Sequence, residues 1–130
     1  MRDCKLKIIT QSGNDTAFFE AEGTFEESAQ GETVRYLIEG DEGEIIFSNN
    51  SFHMIRRGKC GLEATFLAGE ETKMLLSDAS LQGSIPVHTT HYSLQKEALL
   101  RSIELCYKLL GAGNIQTFSL KIQLFFSEEK

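Results

Sequence analysis

The sequence predicts an all-β protein, an antiparallel up-and-down meander barrel of about eight to ten strands built as one domain over residues 1–130. Three observations carry that expectation. Turn-forming clusters recur at short intervals: Ser12-Gly13-Asn14-Asp15, Ser28 to Gly31, Gly40-Asp41-Glu42-Gly43, Ser48-Asn49-Asn50-Ser51, Gly58 to Gly61 and Ala68-Gly69-Glu70-Glu71. The runs between them are about six to twelve residues long, which suits strands better than helices. Within those runs apolar side chains recur at every second position, the pattern of a strand with one face in the core and the other in water. Finally, no strongly amphipathic helix interrupts the first ninety residues. Many antiparallel strands joined by tight hairpins leave no unpaired edges if the sheet closes on itself. A two-sheet sandwich is the rival, but Greek-key sandwiches need long crossovers and nearly every link here is short.

The elements follow in order. Lys5 to Gln11, KLKIITQ, opens the sheet. Ala17, Phe19, Ala21 and Phe25 then share one face, and Glu20, Glu22 and Glu26 the other. Ala21 and Gly23 on the inward side let this long strand bend sharply, as a closing sheet requires at its corners. Val34, Tyr36 and Ile38 alternate with Arg35 and Glu39; Ile45 and Phe47, then Phe52, Met54 and Arg56, then Leu62, Ala64 and Phe66 continue the inner face. Phe118, Leu120, Ile122, Leu124 and Phe126 close it, set against Ser119, Lys121 and Gln123. The segment SLQKEALLRSIELCYKLLG, Ser93 to Gly111, reads two ways. Leu99, Ile103, Cys106 and Leu110 stand at helical spacing with a glycine at the stop. The same residues also alternate, with Arg101, Ile103, Leu105, Tyr107 and Leu109 opposite Ser102, Glu104, Cys106 and Lys108. Periodicity alone does not choose between them.

Composition narrows the function classes. A chain of 130 residues, 41% hydrophobic, removes roughly two-thirds of its unfolded surface from water and needs neither disulfide nor metal to fold. The formal charge of −6 repels phosphate backbones and anionic lipid, so neither nucleic acid nor a membrane is an expected partner. No run approaches the roughly twenty apolar residues of a membrane helix. The first residues carry Arg2, Asp3, Lys5 and Lys7 and no signal-like apolar stretch. Cys4, Cys60 and Cys106 are odd in number and widely spaced, which suits a reducing compartment. A cytoplasmic protein is expected.

No catalytic constellation stands out, so the chain is expected not to be an enzyme. His88 and His91 are the one close histidine pair, but positions three apart on a strand face opposite ways, and no metal or other cofactor is expected. His53 is out of phase with Phe52 and Met54 and belongs on the solvent face. Cys60, between Lys59 and Gly61, reads as an exposed turn thiol with a cationic neighbour. Glu26-Glu27 and Glu70-Glu71 lie at turns, where solvation accounts for them, and the GAGN loop at 111–114 precedes a strand rather than a phosphate-binding helix. The informative charges are those in phase with apolar faces. Arg56 follows Phe52 and Met54, and Arg101 precedes Ile103, Leu105 and Tyr107, so both point inward beside Tyr36. A buried arginine demands a partner. That partner is either a ligand's carboxylate or other anion, or a glutamate at the barrel mouth, unless the side chain snorkels outward. Tyr36, Arg56, Arg101 and Tyr107 form the candidate ligand set. Against a roomy interior stand Phe19, Tyr36, Phe47, Phe52, Phe66, Phe118 and Phe126, which fill about the space that eight strands enclose.

The order of KLKIITQ, EAEGTFEE, VRYLIEG, FHMIRRG, the ATF strand and a closing pair joined by GAGN resembles the YwiB-like family of small bacterial proteins of unknown function. The resemblance spans almost the whole chain. It implies a calycin-like, lipocalin-type barrel, and it implies that IELCYKLL is a strand in a hairpin with SLKIQLFF. The chain departs from the family around Leu76 to Gly83, where LLSDASLQG replaces a tyrosine-threonine-proline-tyrosine-glycine turn. It also has no tryptophan, so the glycine-x-tryptophan mark of secreted lipocalins is absent. By that fold analogy the expected function is binding of a small, partly apolar, anionic ligand in the barrel interior. No room exists between Ser12 and Asp15 for the helical lid usual in intracellular fatty-acid carriers. The alternative is a packed barrel serving as an interaction or structural module through outward residues such as Phe18, Ile46 and Phe125, or as a homodimer.

Overall fold

The computed structural model describes residues 2–29, 31–78, 82–111 and 113–126, and for Cys60, Asp78 and Gln82 the backbone alone. Ten strands follow one another: β1 Arg2–Ser12, β2 Asp15–Ser28, β3 Gly31–Ile38, β4 Asp41–Phe47, β5 Ser51–Arg57, β6 Cys60–Leu67, β7 Glu71–Asp78, β8 Gln82–Glu97, β9 Leu100–Gly111 and β10 Asn114–Phe126. Each pairs antiparallel with its sequence neighbours, and β1 pairs with β10 from Cys4↔Phe126 to Gln11↔Ser119, closing the barrel. No helix occurs among the described residues.

The ambiguous segment is two strands. β8 continues to Glu97, Ala98-Leu99 make a two-residue turn, and β9 sets Ile103 opposite Ile122 and Leu105 opposite Leu120 on the inner face. Pairing on both edges decides the matter over helix propensity, because a strand with two neighbours buries its alternate side chains completely. Two turns fall earlier than their residue types suggested. The β3–β4 turn is Glu39-Gly40, both with positive φ (50° and 84°), which leaves Asp41 and Gly43 inside β4. The β5–β6 turn is Gly58-Lys59, with Gly61 inside β6.

Two ends of the barrel differ. The lower end holds the start of β1, the finish of β10 and the β2–β3, β4–β5, β6–β7 and β8–β9 turns; the upper end holds the other five turns. The lower and middle interior is packed solid. Leu6, Val34, Ile45, Phe47, Phe52, Phe66, Val87, Ile103, Leu105, Ile122 and Leu124 are essentially sealed from solvent. Aromatic contacts span the interior: Phe66 on β6 meets Tyr107 on β9 at 4.8 Å between ring centroids, and Phe52 on β5 meets Tyr92 on β8 at 6.4 Å. The Tyr92 hydroxyl donates to the Ser48 carbonyl at 2.5 Å, tying the same two sides together. Of the seven large side chains expected to fill the barrel, all face inward, and Phe19 and Phe118, nearest the upper end, are the two only partly buried.

Gly23, where the sequence predicts a bend in β2, is where β3 approaches most closely. A Cβ there would stand 2.7 Å from the Arg35 carbonyl oxygen, so only glycine admits this approach of β3. Ladder pairing between β2 and β3 runs from Gly23↔Tyr36 to Ser28↔Gly31, while β1 pairs β2 along its length from Phe25 to Asp15. Above Gly23 the sheet is therefore split, and side-chain packing such as Phe19 on Tyr36 (6.3 Å) bridges the split in place of backbone hydrogen bonds.

Candidate functional site

Inward apolar side chains are least covered toward the upper end. Phe19, Ile38, Met54, Leu62, Leu76, Leu109 and Phe118 face inward there, pack on the core and remain partly exposed. Tyr36 closes one side. Its ring lies directly on Gly43 of β4, whose missing side chain makes the space. Burial pushes the Tyr36 phenol up from its ordinary value, and the nearby Arg56 charge acts the other way. Tyr107 stacks on Phe118 at 5.3 Å and 15°, and burial raises its phenol to about 12. Neither hydroxyl has a hydrogen-bond partner among the described residues. Thr89, opposite Tyr107 in the β8–β9 ladder and fully buried, likewise has an unpartnered hydroxyl among them.

Arg56 stands at the rim. Its Nε donates to Asp41 Oδ2 at 2.9 Å, and Glu39 lies 3.6 Å from its Nη2. The Lys59 backbone N–H donates to Asp41 Oδ1 at 3.1 Å, so the β5–β6 turn wraps the same carboxylate. Gly58, at φ 144°, lies so close to Asp41 that any side chain would collide with it. Asp41 is thus buried but served by two donors, as a buried carboxylate must be.

Arg101 is elsewhere. The structure brings Tyr36 and Arg56 together with Tyr107 deeper in the same interior, but it holds Arg101 at the lower end, not beside Tyr36. Six residues of extended β9 separate Arg101 from Tyr107, about 20 Å. There Arg101 makes a bidentate contact with buried Glu32, Nε to Oε1 at 3.0 Å and Nη2 to Oε2 at 3.2 Å. Its Nη1 donates to the Glu97 carbonyl at 2.7 Å, and its guanidinium lies 5.1 Å from the Phe126 ring centroid. Lys96 adds a second cation 3.6 Å from Glu32. This is the carboxylate-at-the-mouth arrangement, and it seals the lower end. For Arg56 the partner is an aspartate. Sequence reasoning missed both acids, although Glu32 is in phase with Val34 and Tyr36, and Asp41 with Ile45 and Phe47.

The histidines also move. A bulge between Thr89 and His91 adds a residue to β8, so His88 and His91 both face outward rather than to opposite sides. Among the described residues no group of three or more metal-ligating side chains occurs. His53 is on the outer face as expected, with Nδ1 2.7 Å from the Thr65 hydroxyl. Cys4 is buried, which raises its thiol pKa, and the side chain of Cys60 lies outside the described residues. On the outside of the barrel a groove of about 1000 Å³ crosses β10 and β1 to β5, lined by Lys5, Glu22, Arg35, Glu42, Glu44 and Arg57 among others. Arg35 there pairs with Glu44 at 2.8 Å.

No protein-family model matches the chain, and no curated protein matches it at the sequence level. Among solved structures, the crystal structure of the YwiB protein from Bacillus subtilis is similar over 98% of this chain and 93% of its own, with a TM-score of 0.87 and 12% identity. The two share a fold, and the YwiB-like resemblance read from strand order holds at that level.

Proposed function

We propose that this protein is a non-enzymatic, cytoplasmic binder of a small, partly apolar ligand bearing an anionic or hydrogen-bond-accepting group, taken at the upper mouth of the barrel. The observation that carries this reading is the asymmetry of the two ends. The lower end holds a buried ion pair, and most of the inward apolar side chains that stay partly in solvent lie toward the upper end, with Tyr92 and Leu94 on the lower half of β8 the exceptions. Covering partly exposed apolar surface with a ligand gains roughly 25 cal/mol per Å². Tyr36 and Tyr107, with raised pKa values, stay protonated at neutral pH and serve as hydrogen-bond donors. The Arg56–Asp41 pair is neutral as a unit, so recognition of an acceptor falls mainly to the phenols. Calycin-like barrels hold ligands in their interior, and the analogy rests on fold alone. Binding is favoured over catalysis because catalysis by a hydroxyl nucleophile needs a base oriented onto it.

Native mass spectrometry of protein purified from its own cells, compared with the same sample after mild unfolding, tests this. The expected result is a reproducible small-molecule mass that is lost on unfolding and that the Tyr36→Phe variant retains roughly tenfold less well. Bare protein in both spectra overturns the reading. The second reading, an interaction module, is favoured by one feature of β2.

A further inference from the structure

We infer that the free edge of β2 is a homodimer seam, at which Asp15–Ala21 pairs antiparallel with the same residues of a second copy about a two-fold axis at Phe18. This stands independently of the ligand site. From Asp15 to Glu22, β2 pairs with β1 on one side and with no described strand on the other, because the β2–β3 ladder ends at Gly23. Six of these eight residues are exposed. A strand edge with unspent N–H and C=O groups is a template for another strand, and barrels normally abolish such edges. A proline, a lysine and a bulge are absent from DTAFFEAE, whose charged residues are Asp15, Glu20 and Glu22. Its outward acids are balanced locally: Glu20 lies opposite Lys7 and Glu22 opposite Lys5 on β1.

The sequence of this edge selects a second copy as the occupant. With the axis at Phe18, Thr16 faces Glu20, Ala17 faces Phe19, Asp15 faces Ala21, and Phe18 faces itself. Every acid meets a neutral residue and every large inner side chain a small one. An axis at Phe19 sets Phe18 against Glu20, and an axis at Glu20 sets two carboxylates together. Phe18 is 59% exposed, and its cross-strand neighbour Ile9 is 38% exposed, so two-fold pairing gathers four apolar side chains on the outer face. Seven paired residues form about six to eight interstrand hydrogen bonds. The contact is isologous and closes at two copies.

Sedimentation equilibrium of the full chain tests the proposal beside a cysteine scan. Wild-type protein is expected to be a dimer, and Phe18→Lys, which sets two ammonium groups face to face at a solvent-exposed position, a folded monomer with a dissociation constant raised roughly a hundredfold or more. Under mild oxidation Phe18→Cys forms an intermolecular disulfide at the axis beyond any wild-type background, whereas Glu22→Cys, which faces Asn14 of the other copy, does not. A wild-type monomer overturns the proposal, including one that accepts a foreign extended peptide on this edge. So does a dimer that survives Phe18→Lys, or one cross-linked by Glu22→Cys and not by Phe18→Cys.

Discussion

Arg101 shows how an inward-facing charge is accommodated without a ligand. Its guanidinium fork meets both oxygens of Glu32, a carbonyl takes a third bond, and the flat face covers Phe126. The two side chains are 11% and 8% exposed, so each is a desolvated ion that only the other makes tolerable. Removing one partner of such a pair costs more than removing both, because the survivor stays buried and uncompensated. Arg101→Met is therefore expected to lower unfolding stability by about 3 to 5 kcal/mol, and the double variant Glu32→Met/Arg101→Met to recover most of the loss, as read from urea unfolding followed by circular dichroism. A double variant that loses the sum of the two single losses would show that the residues do not act as a pair. The inward phase of Arg56 and Arg101 was legible from alternation with their apolar neighbours. Their partners were not, since Glu32 lies 69 positions from Arg101 and Asp41 lies 15 from Arg56, and only strand register brings them together.

At the scale of elements, hairpin chemistry and strand period carry the architecture, and the exceptions have local causes. The Glu39-Gly40 turn has φ of 50° and 84°, the signature of a type I′ turn, which matches the twist of its flanking strands. Glycine adopts that conformation freely, whereas glutamate at the first central position is strained, and asparagine is the favoured residue there. Glu39 is 79% exposed and its contact with Arg56 is a long 3.6 Å, so little is lost with its carboxylate. Glu39→Asn is expected to stabilise the protein by about 0.5 to 1 kcal/mol, seen as a rise of several degrees in melting temperature; a lower melting temperature would contradict the turn assignment. Reading the same stretch from residue types alone placed the turn two residues late, because Gly43 looks like turn chemistry but serves as the bare patch under the Tyr36 ring. The histidine spacing misled for a related reason. A bulge changes the parity of everything after it, and no residue between Thr89 and His91 announces one. Conversely, the strand character of Ile103 to Leu109 was visible in the alternation but shared with a helical reading, and pairing with β8 and β10 decides between them.

At the scale of the whole molecule, closure turns the tyrosines into reporters of the barrel. The chain has three tyrosines and no tryptophan, and Tyr36, Tyr92 and Tyr107 all face the interior. Burial raises all three phenols, Tyr92 and Tyr107 to about 12. For Tyr92 the negative charge of Glu32 adds to burial, which couples the phenol to the sealed lower end. An acid with a raised folded-state pKa holds its proton more tightly in the native protein than in the unfolded chain, where a phenol titrates near 10. Between those values the native state binds more protons, so stability falls as pH rises. The contribution is whole below about pH 10 and is lost as pH climbs through the window toward about pH 12. Two measurements follow this. In native protein, near-ultraviolet phenolate absorbance is expected to rise well above pH 10, and in urea-unfolded protein near it. The urea midpoint is expected to hold steady through neutral pH and to drop steeply above about pH 10. Tyrosines that ionise alike in native and unfolded protein would mean that water reaches them in the barrel interior, and the solid middle described by the Phe66–Tyr107 and Phe52–Tyr92 contacts would then be wrong. If ionisation is instead displaced, native protein resists alkali until the barrel itself opens, and a ligand seated on Tyr36 and Tyr107 would delay that step further, because it favours the closed, protonated form.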